Sequence, residues 1–331
     1  MPKLTQSRLS VVVTRRLPEK VEARLSELFD VRLNATDERF SREDLLAAMT
    51  GADVLVPTLN DIIDAEMLEQ ARGKLRMIAN YGAGYDHIDI VAAHKNGIVV
   101  SNSPANRAGD TADMAITLML SVMRRFKEGS AALQSGDWEG WSPSAFLGAR
   151  VGGKKLGILG LGRIGIEVAR RARAFGLEVH YHNRKPVHPD RENELGATYW
   201  GDLNQMLAHI DVLSISCPLT PLTHHIINSD RLSLMKPSSY IVNISRGKLI
   251  DEVALTEALD SGRLAGAGLD VQERSPHNNA RLRDMNNVML LPHMASATLE
   301  SRTEMGETVI VNIKTFEDGH TPPNRVVPSL S

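Results

Sequence analysis

The run Gly160-Leu-Gly-Arg-Ile-Gly165 follows the apolar stretch Leu156-Gly-Ile-Leu159 and leads into a helical pattern. That context makes the spacing Gly-x-Gly-x-x-Gly informative, because each glycine has a task in holding a dinucleotide. Gly160 permits a tight turn, Gly162 lets the backbone approach a pyrophosphate, and Gly165 allows helix and strand to pack closely. The helix behind them offers amide donors and the positive end of a dipole to the phosphates. Arg163 adds a candidate phosphate contact, with Ile164 completing the loop.

In such folds the end of the next strand meets the adenosine ribose, and NAD enzymes carry an acid there. Here that place reads His182-Asn-Arg-Lys185. Asn183 lacks the carboxylate that would repel a 2′-phosphate, Arg184 can grip one in a planar fork, and Lys185 adds a second charge. One charge-assisted contact contributes about 1.5–3 kcal/mol. That corresponds to a preference of roughly ten- to a hundred-fold. The expected cofactor is NADP, with NAD as second choice.

Positioning these residues needs a sheet, and the chain has length for more than one. At 331 residues it exceeds what a single core usually organises, so two domains are expected. Short β-rich runs alternate with helical patterns from Ser10 to about Asn102, and again from Leu156 to Leu291, as in parallel βαβ units. The expected fold is α/β with two doubly wound parallel-sheet domains. A flavodoxin-like domain spans 1–103 plus 298–331, and a Rossmann domain spans 104–297. Pro18 opens a helix with Val21, Leu25 and Leu28 on one face, and Ser41 with Asp44 three residues on reads as a capping box. Asp110 to Phe126 reads as one long apolar helix, and the segment through Trp138 and Trp141 as a linker and interface.

Composition removes several function classes. A formal net charge of -2, without a basic stripe, gives no electrostatic footprint for nucleic acid. The longest apolar run, Met114 to Met123, is too short to span a bilayer. Cys217 is the single cysteine, which suits a reducing compartment, and the Val11-Val-Val13 stretch is too short for a secretory signal. The chain reads as cytoplasmic. His180 and His182 alternate on one strand and His224-His225 are adjacent, but no convergent metal-ligand set is visible, so no metal is expected.

Beyond the glycine loop, the chain resembles the D-2-hydroxyacid dehydrogenase family over nearly its whole length. The matching runs are Tyr81-Gly-Ala-Gly-Tyr-Asp86, Pro218-Leu-Thr-Pro-Leu-Thr223, Ile244-Ser-Arg-Gly247, Gly268-Leu-Asp-Val271 and Leu291-Pro-His-Met-Ala-Ser296. The overall length looks like the glyoxylate/hydroxypyruvate reductase branch. The resemblance implies hydride transfer to a small 2-keto acid. Arg246 then holds the substrate's carboxylate and carbonyl, His293 acts as acid/base, and Ala83 and Gly84 receive the carboxylate on backbone amides. It also places Asp270 near the nicotinamide carboxamide, and Thr111, Cys217, Pro218 and Thr223 among cofactor contacts. Cys217 is assigned no chemistry of its own. The long helix after Asp110 and the Trp138/Trp141 segment resemble the family's dimer-forming arm, so a homodimer is expected.

One position departs from the family pattern. The run Gly268-Leu-Asp-Val-Gln-Glu-Arg-Ser-Pro276 puts Ser275 where the family carries the glutamate paired to its catalytic histidine. A hydroxyl can orient an imidazole but cannot stabilise imidazolium, so reduction is expected to be favoured in mild acid. Glu273 is the nearest carboxylate, at a neighbouring family position in an extended segment. Ser275 also motivates the alternative of a weakly active or inactive NAD(P)-binding sensor on the same fold, against which Arg246 and His293 argue.

Overall fold

The computed structural model describes residues 8–104, 108–274 and 279–328, so Ser275 lies outside the described residues. The chain divides into two compact units, Met1–Arg107 with Ala297–Ser331, and Ala108–Ser296. Strands β1 (Ser10–Val13), β2 (Asp30–Arg32), β3 (Val54–Val56), β4 (Met77–Ala79) and β5 (Val99–Ser101) belong to the first unit. The second holds β6 (Lys155–Leu159), β7 (Glu178–His182), β8 (Ala197–Tyr199), β9 (Val212–Ile215), β10 (Tyr240–Asn243), β11 (Gly266–Leu269) and β12 (Val288–Leu290). Strand β13 (Arg325–Val326) returns to the first.

The first sheet has the order β13-β5-β4-β3-β1-β2, parallel except where β13 runs antiparallel to β5. Its five parallel strands follow the flavodoxin-like order. Helices cover both faces, which is why these strands are continuous apolar runs rather than alternating ones. Val11 and Val13 join a core with the helices Glu19–Leu28 and Leu299–Glu317, while Val12 packs to the other side with Leu45, Met49 and Met67. Val21 and Leu25 are buried, and the Ser41/Asp44 capping box forms in full. Gly306 sits so close to Val21 that any larger side chain would clash, which fixes the crossing of the two helices.

The second sheet, β12-β11-β10-β9-β6-β7-β8, is wholly parallel with the Rossmann order. Its helix Gly109–Met123 is apolar around much of its circumference and buries eight residues. The sequence suggests that this helix continues to Phe126; it stops at Met123 instead. The chain returns there, the Ala149 amide donates to the Met123 carbonyl at 2.8 Å, and Gly148 packs directly against that carbonyl. Arg125 takes a left-handed backbone (φ 55), and a second helix, Phe126–Ser135, follows with no buried residue.

Strand β7 carries a buried histidine with a consequence for stability. His180 is 7% exposed, its Nδ1 accepts from Trp200 Nε1 at 3.2 Å, and the His209 ring meets it edge-on at 5.0 Å. Burial above all, then His209 and Lys155, holds its pKa below the ordinary 6.5, against the opposing pull of Glu178 and Asp211. The unfolded chain therefore takes up a proton below pH 6.5 that the folded one refuses. Stability is complete above that pH and falls on acidification, by up to about 1.4 kcal/mol per pH unit. His180→Asn keeps an acceptor for Trp200 but cannot titrate. Urea melts between pH 6.5 and about 5 should show a flatter dependence for the variant, and parallel curves would refute the assignment.

Candidate active site

At the end of β6 the chain enters the glycine loop. Gly160 has φ +100, and a Cβ there would lie 2.6 Å from the Cys217 amide nitrogen. Gly165 packs against the Gly160 carbonyl with no room for a side chain. Gly162 differs, since open space lies where its Cβ would project, and it caps the helix Arg163–Ala174 without any side-chain hydrogen bond to the helix end. A helix N-terminus without a side-chain cap and an empty cradle before it suit a pyrophosphate. Arg163 is exposed and Ile164 half-buried.

Asn183, just past β7, accepts a 2.7 Å hydrogen bond from the Leu161 amide on its Oδ1. Its side chain thus braces the glycine loop. Arg184 and Lys185 follow, both exposed. Cys217, after β9, is 8% exposed, and burial pushes its thiol up to about 12, so it is no nucleophile at neutral pH. The neighbouring Pro218 carbonyl accepts from Thr223 Oγ1 at 2.8 Å, so the Thr223 hydroxyl closes its own loop. Thr111 lies near the start of the helix Gly109–Met123, half-buried.

Three turns at the carboxyl ends of neighbouring strands carry the remaining candidates. After β10, the buried Asn243 accepts from the Ser245 amide at 3.0 Å and donates to the Arg246 carbonyl at 2.9 Å, shaping the turn that presents Arg246. After β11, Asp270 is fully buried, and its amide donates to the Asn243 carbonyl at 2.9 Å. After β12, His293 is exposed and adopts φ 56. A left-handed non-glycine residue costs about 1–2 kcal/mol. Asp270 outweighs that cost. Its Oδ1 accepts from the Met294 amide at 2.8 Å, its Oδ2 from the Ala295 amide at 2.9 Å, and its carbonyl from the His293 amide at 2.7 Å. Hydrogen bonds to a charged group contribute about 1.5–3 kcal/mol each. Asn243 escaped the sequence reading, although a polar residue closing an apolar strand was a usable signal.

In the first unit, the Gly82–Gly84 loop lies past β4. Asn80, fully buried, donates from Nδ2 to the carbonyls of Gly82 (3.0 Å) and Gly84 (2.9 Å), and its Oδ1 meets His87 Nε2 at 3.0 Å. The Gly82 amide donates to Ser103 Oγ at 2.8 Å, and Asn102 holds the Ala83 carbonyl at 2.7 Å. The amides of Ala83 and Gly84 donate to nothing among the described residues, as an anion-binding nest requires. Nothing in the spacing of Asn80, Asn102 and Ser103 announces this bracing, because two segments some twenty residues apart supply it.

Glu273, the nearest carboxylate to the Ser275 position, is held by His225 and Glu252. Its Oε1 lies 2.8 Å from His225 Nε2 and its Oε2 accepts from the Glu252 amide at 3.3 Å. The fold therefore supplies what the sequence did not show, a carboxylate converging on the adjacent pair His224-His225.

A Rossmann unit with such a loop, presenting an arginine and a histidine from the carboxyl ends of β10 and β12 on either side of β11, defines a nicotinamide-dinucleotide-dependent oxidoreductase. Residues 116–295 match the family described as D-isomer specific 2-hydroxyacid dehydrogenase, NAD binding domain. The chain belongs to that family. A glyoxylate reductase of Thermococcus onnurineus is 42% identical over 320 residues, covering 96% of this chain and 95% of that protein. One of Pyrococcus furiosus is 42% identical with 96% and 94% covered. Among solved structures, an NADPH-dependent glyoxylate/hydroxypyruvate reductase of Sinorhizobium meliloti, in complex with NADP and malonate, superposes with a TM-score of 0.85 at 34% identity, covering 97% of each chain. A glyoxylate reductase from Paecilomyes thermophila gives 0.86 at 34% identity, with 97% and 99% covered. No described helix is long and apolar enough to cross a membrane.

Proposed function

We propose that this enzyme reduces small 2-keto acids, glyoxylate and hydroxypyruvate, to D-2-hydroxy acids with NADPH. The observation that carries the reading is the bracing of Arg246 and His293 by Asn243 and Asp270 on adjacent strand ends, beside a loop suited to a pyrophosphate. It is supported by relatives named glyoxylate reductase at 42% identity. The nicotinamide, when bound, supplies the hydride to the carbonyl carbon. Arg246 holds the carboxylate and carbonyl oxygen in its planar fork, and His293 delivers the proton that turns that oxygen into a hydroxyl. Ala83 and Gly84 receive the carboxylate on their amides, Asp270 takes the nicotinamide carboxamide, and Asn183, Arg184 and Lys185 select the 2′-phosphate. Thr111, Pro218 and Thr223 line the cofactor.

The test is NADPH and NADH oxidation with a panel of 2-keto acids, followed by chiral analysis of the product. NADPH binding without turnover on any of them would favour the sensor reading instead. Ser275 bears on the pH dependence, because a carboxylate beside His293 would favour its protonated form. Ser275→Glu is expected to move the alkaline limb of kcat/KM for reduction upward by about one pH unit. An unmoved limb would remove Ser275 from the mechanism.

The same reading includes a cytoplasmic homodimer. Trp138 is 50% and Trp141 84% exposed, with Phe126 and Leu133 also largely uncovered, on the segment that follows Met123. Exposed apolar residues grouped in this way suit an interface. Sedimentation should give a dimer for the native chain and a shift toward monomer for Trp141→Glu, whereas a monomeric native chain would end this part of the proposal.

A further inference from the structure

The cluster formed by His224, His225 and Glu273 is not used by the mechanism above. One ligand atom from each of the three residues falls within 4.8 Å of the others. The two imidazoles, adjacent in sequence, stack with centroids 4.0 Å apart and planes at 28°. Consecutive side chains on an extended backbone point to opposite sides. These two share a side in a turn where His225 is left-handed (φ 48) and its amide donates to the Lys248 carbonyl at 2.8 Å. Glu273 arrives from the segment after β11, Oε1 at 2.8 Å from His225 Nε2.

We propose that His224, His225 and Glu273 form a binding site for a borderline divalent ion, Zn²⁺ or Ni²⁺. Two imidazole nitrogens and one carboxylate oxygen suit such ions, whereas Mg²⁺ and Ca²⁺ prefer oxygen throughout. Three protein ligands leave a fourth position for water. With bonds of about 2.0–2.2 Å at a tetrahedral angle, donors stand about 3.4 Å apart. The His225–Glu273 pair at 2.8 Å has to open only slightly, the ion replacing the hydrogen now shared between them.

A ligating carboxylate needs orientation from behind, and Glu273 has it. Its Oε2 accepts from the Glu252 amide at 3.3 Å, and its own amide donates to Glu252 Oε2 at 2.9 Å, with Glu252 only 4% exposed. Gly247 packs directly on the Gln272–Glu273 backbone, leaving no space for a side chain. An ion here would tie the 224–225 turn to the backbone that supports Arg246.

Binding rather than turnover is the readout, so the result is independent of the proposed substrate. Zn²⁺ titrated calorimetrically into tag-free, chelator-stripped protein should bind one ion per chain with low-micromolar affinity, undisturbed by equimolar Mg²⁺. His224→Ala and Glu273→Gln should each weaken binding roughly tenfold or more. His224 is exposed, so its variant should fold normally, which circular dichroism checks. Co²⁺ should give a visible d–d spectrum in the native chain that His224→Ala loses. Non-saturating heats, displacement by Mg²⁺, or affinity unchanged in either variant would overturn the site.

Discussion

Replacing His293 with asparagine lowers kcat for keto-acid reduction by about a hundred- to ten-thousand-fold, the usual contribution of a positioned general acid, and leaves NADPH affinity unchanged. The choice of asparagine matters because His293 stands at φ 56, a conformation asparagine tolerates better than most residues. Alanine would combine a chemical loss with strain in the turn. The three hydrogen bonds that Asp270 accepts from the amides of His293, Met294 and Ala295 involve no side chain but its own, so they survive the change. NADPH fluorescence titration separates binding from turnover, and stopped-flow hydride transfer with glyoxylate measures the chemical step. A variant within about tenfold of the native kcat would remove His293 as proton donor, because general acid catalysis contributes more than that. A loss of both binding and folding would point to the turn instead, and thermal melts distinguish the two.

The second large effect lies at the ribose end. Asn183→Asp should reduce kcat/KM with NADPH by about a hundred-fold and leave NADH use nearly unchanged. The physical reason is a carboxylate placed beside a phosphate, a like-charge pair that costs several kcal/mol. The substitution is clean because the Leu161 amide donates to Asn183 Oδ1, an acceptor that aspartate retains, so the glycine loop keeps its brace. Arg184→Ala should have the smaller effect, about tenfold, since Arg184 and Lys185 are both exposed and solvent screens their contribution. The ratio of kcat/KM values for the two cofactors is the measurement. If Asn183→Asp lowers both equally, the residue supports the loop and does not read the phosphate.

Much of the scaffold is legible without coordinates. Apolar runs such as Val11-Val-Val13 and Val54-Leu-Val56 are continuous because both sheet faces are covered, and the Ser41/Asp44 box is a local contact between residues three apart. The glycine loop is readable for the same reason, each glycine answering a constraint set within a few residues. The strands β2, β8 and β13 were not anticipated. They are two or three residues long and lie at sheet edges, so burial imposes little pattern on them. The break at Met123 was equally hidden, because the group that takes its carbonyl, Ala149, comes from a distant segment.

By itself the sequence determined the two α/β units, the dinucleotide loop and the residue types available for chemistry, since these depend on local periodicity and close spacing. Only the tertiary structure decided how those residues are held. Asp270 meets the amides of Met294 and Ala295 across 24 and 25 positions, Asn80 is braced with Ser103 across 23, and Glu273 reaches His225 across 48. Hydrogen bonds between segments so far apart leave no periodic trace, because their geometry is set by strand order in the sheet and not by spacing along the chain.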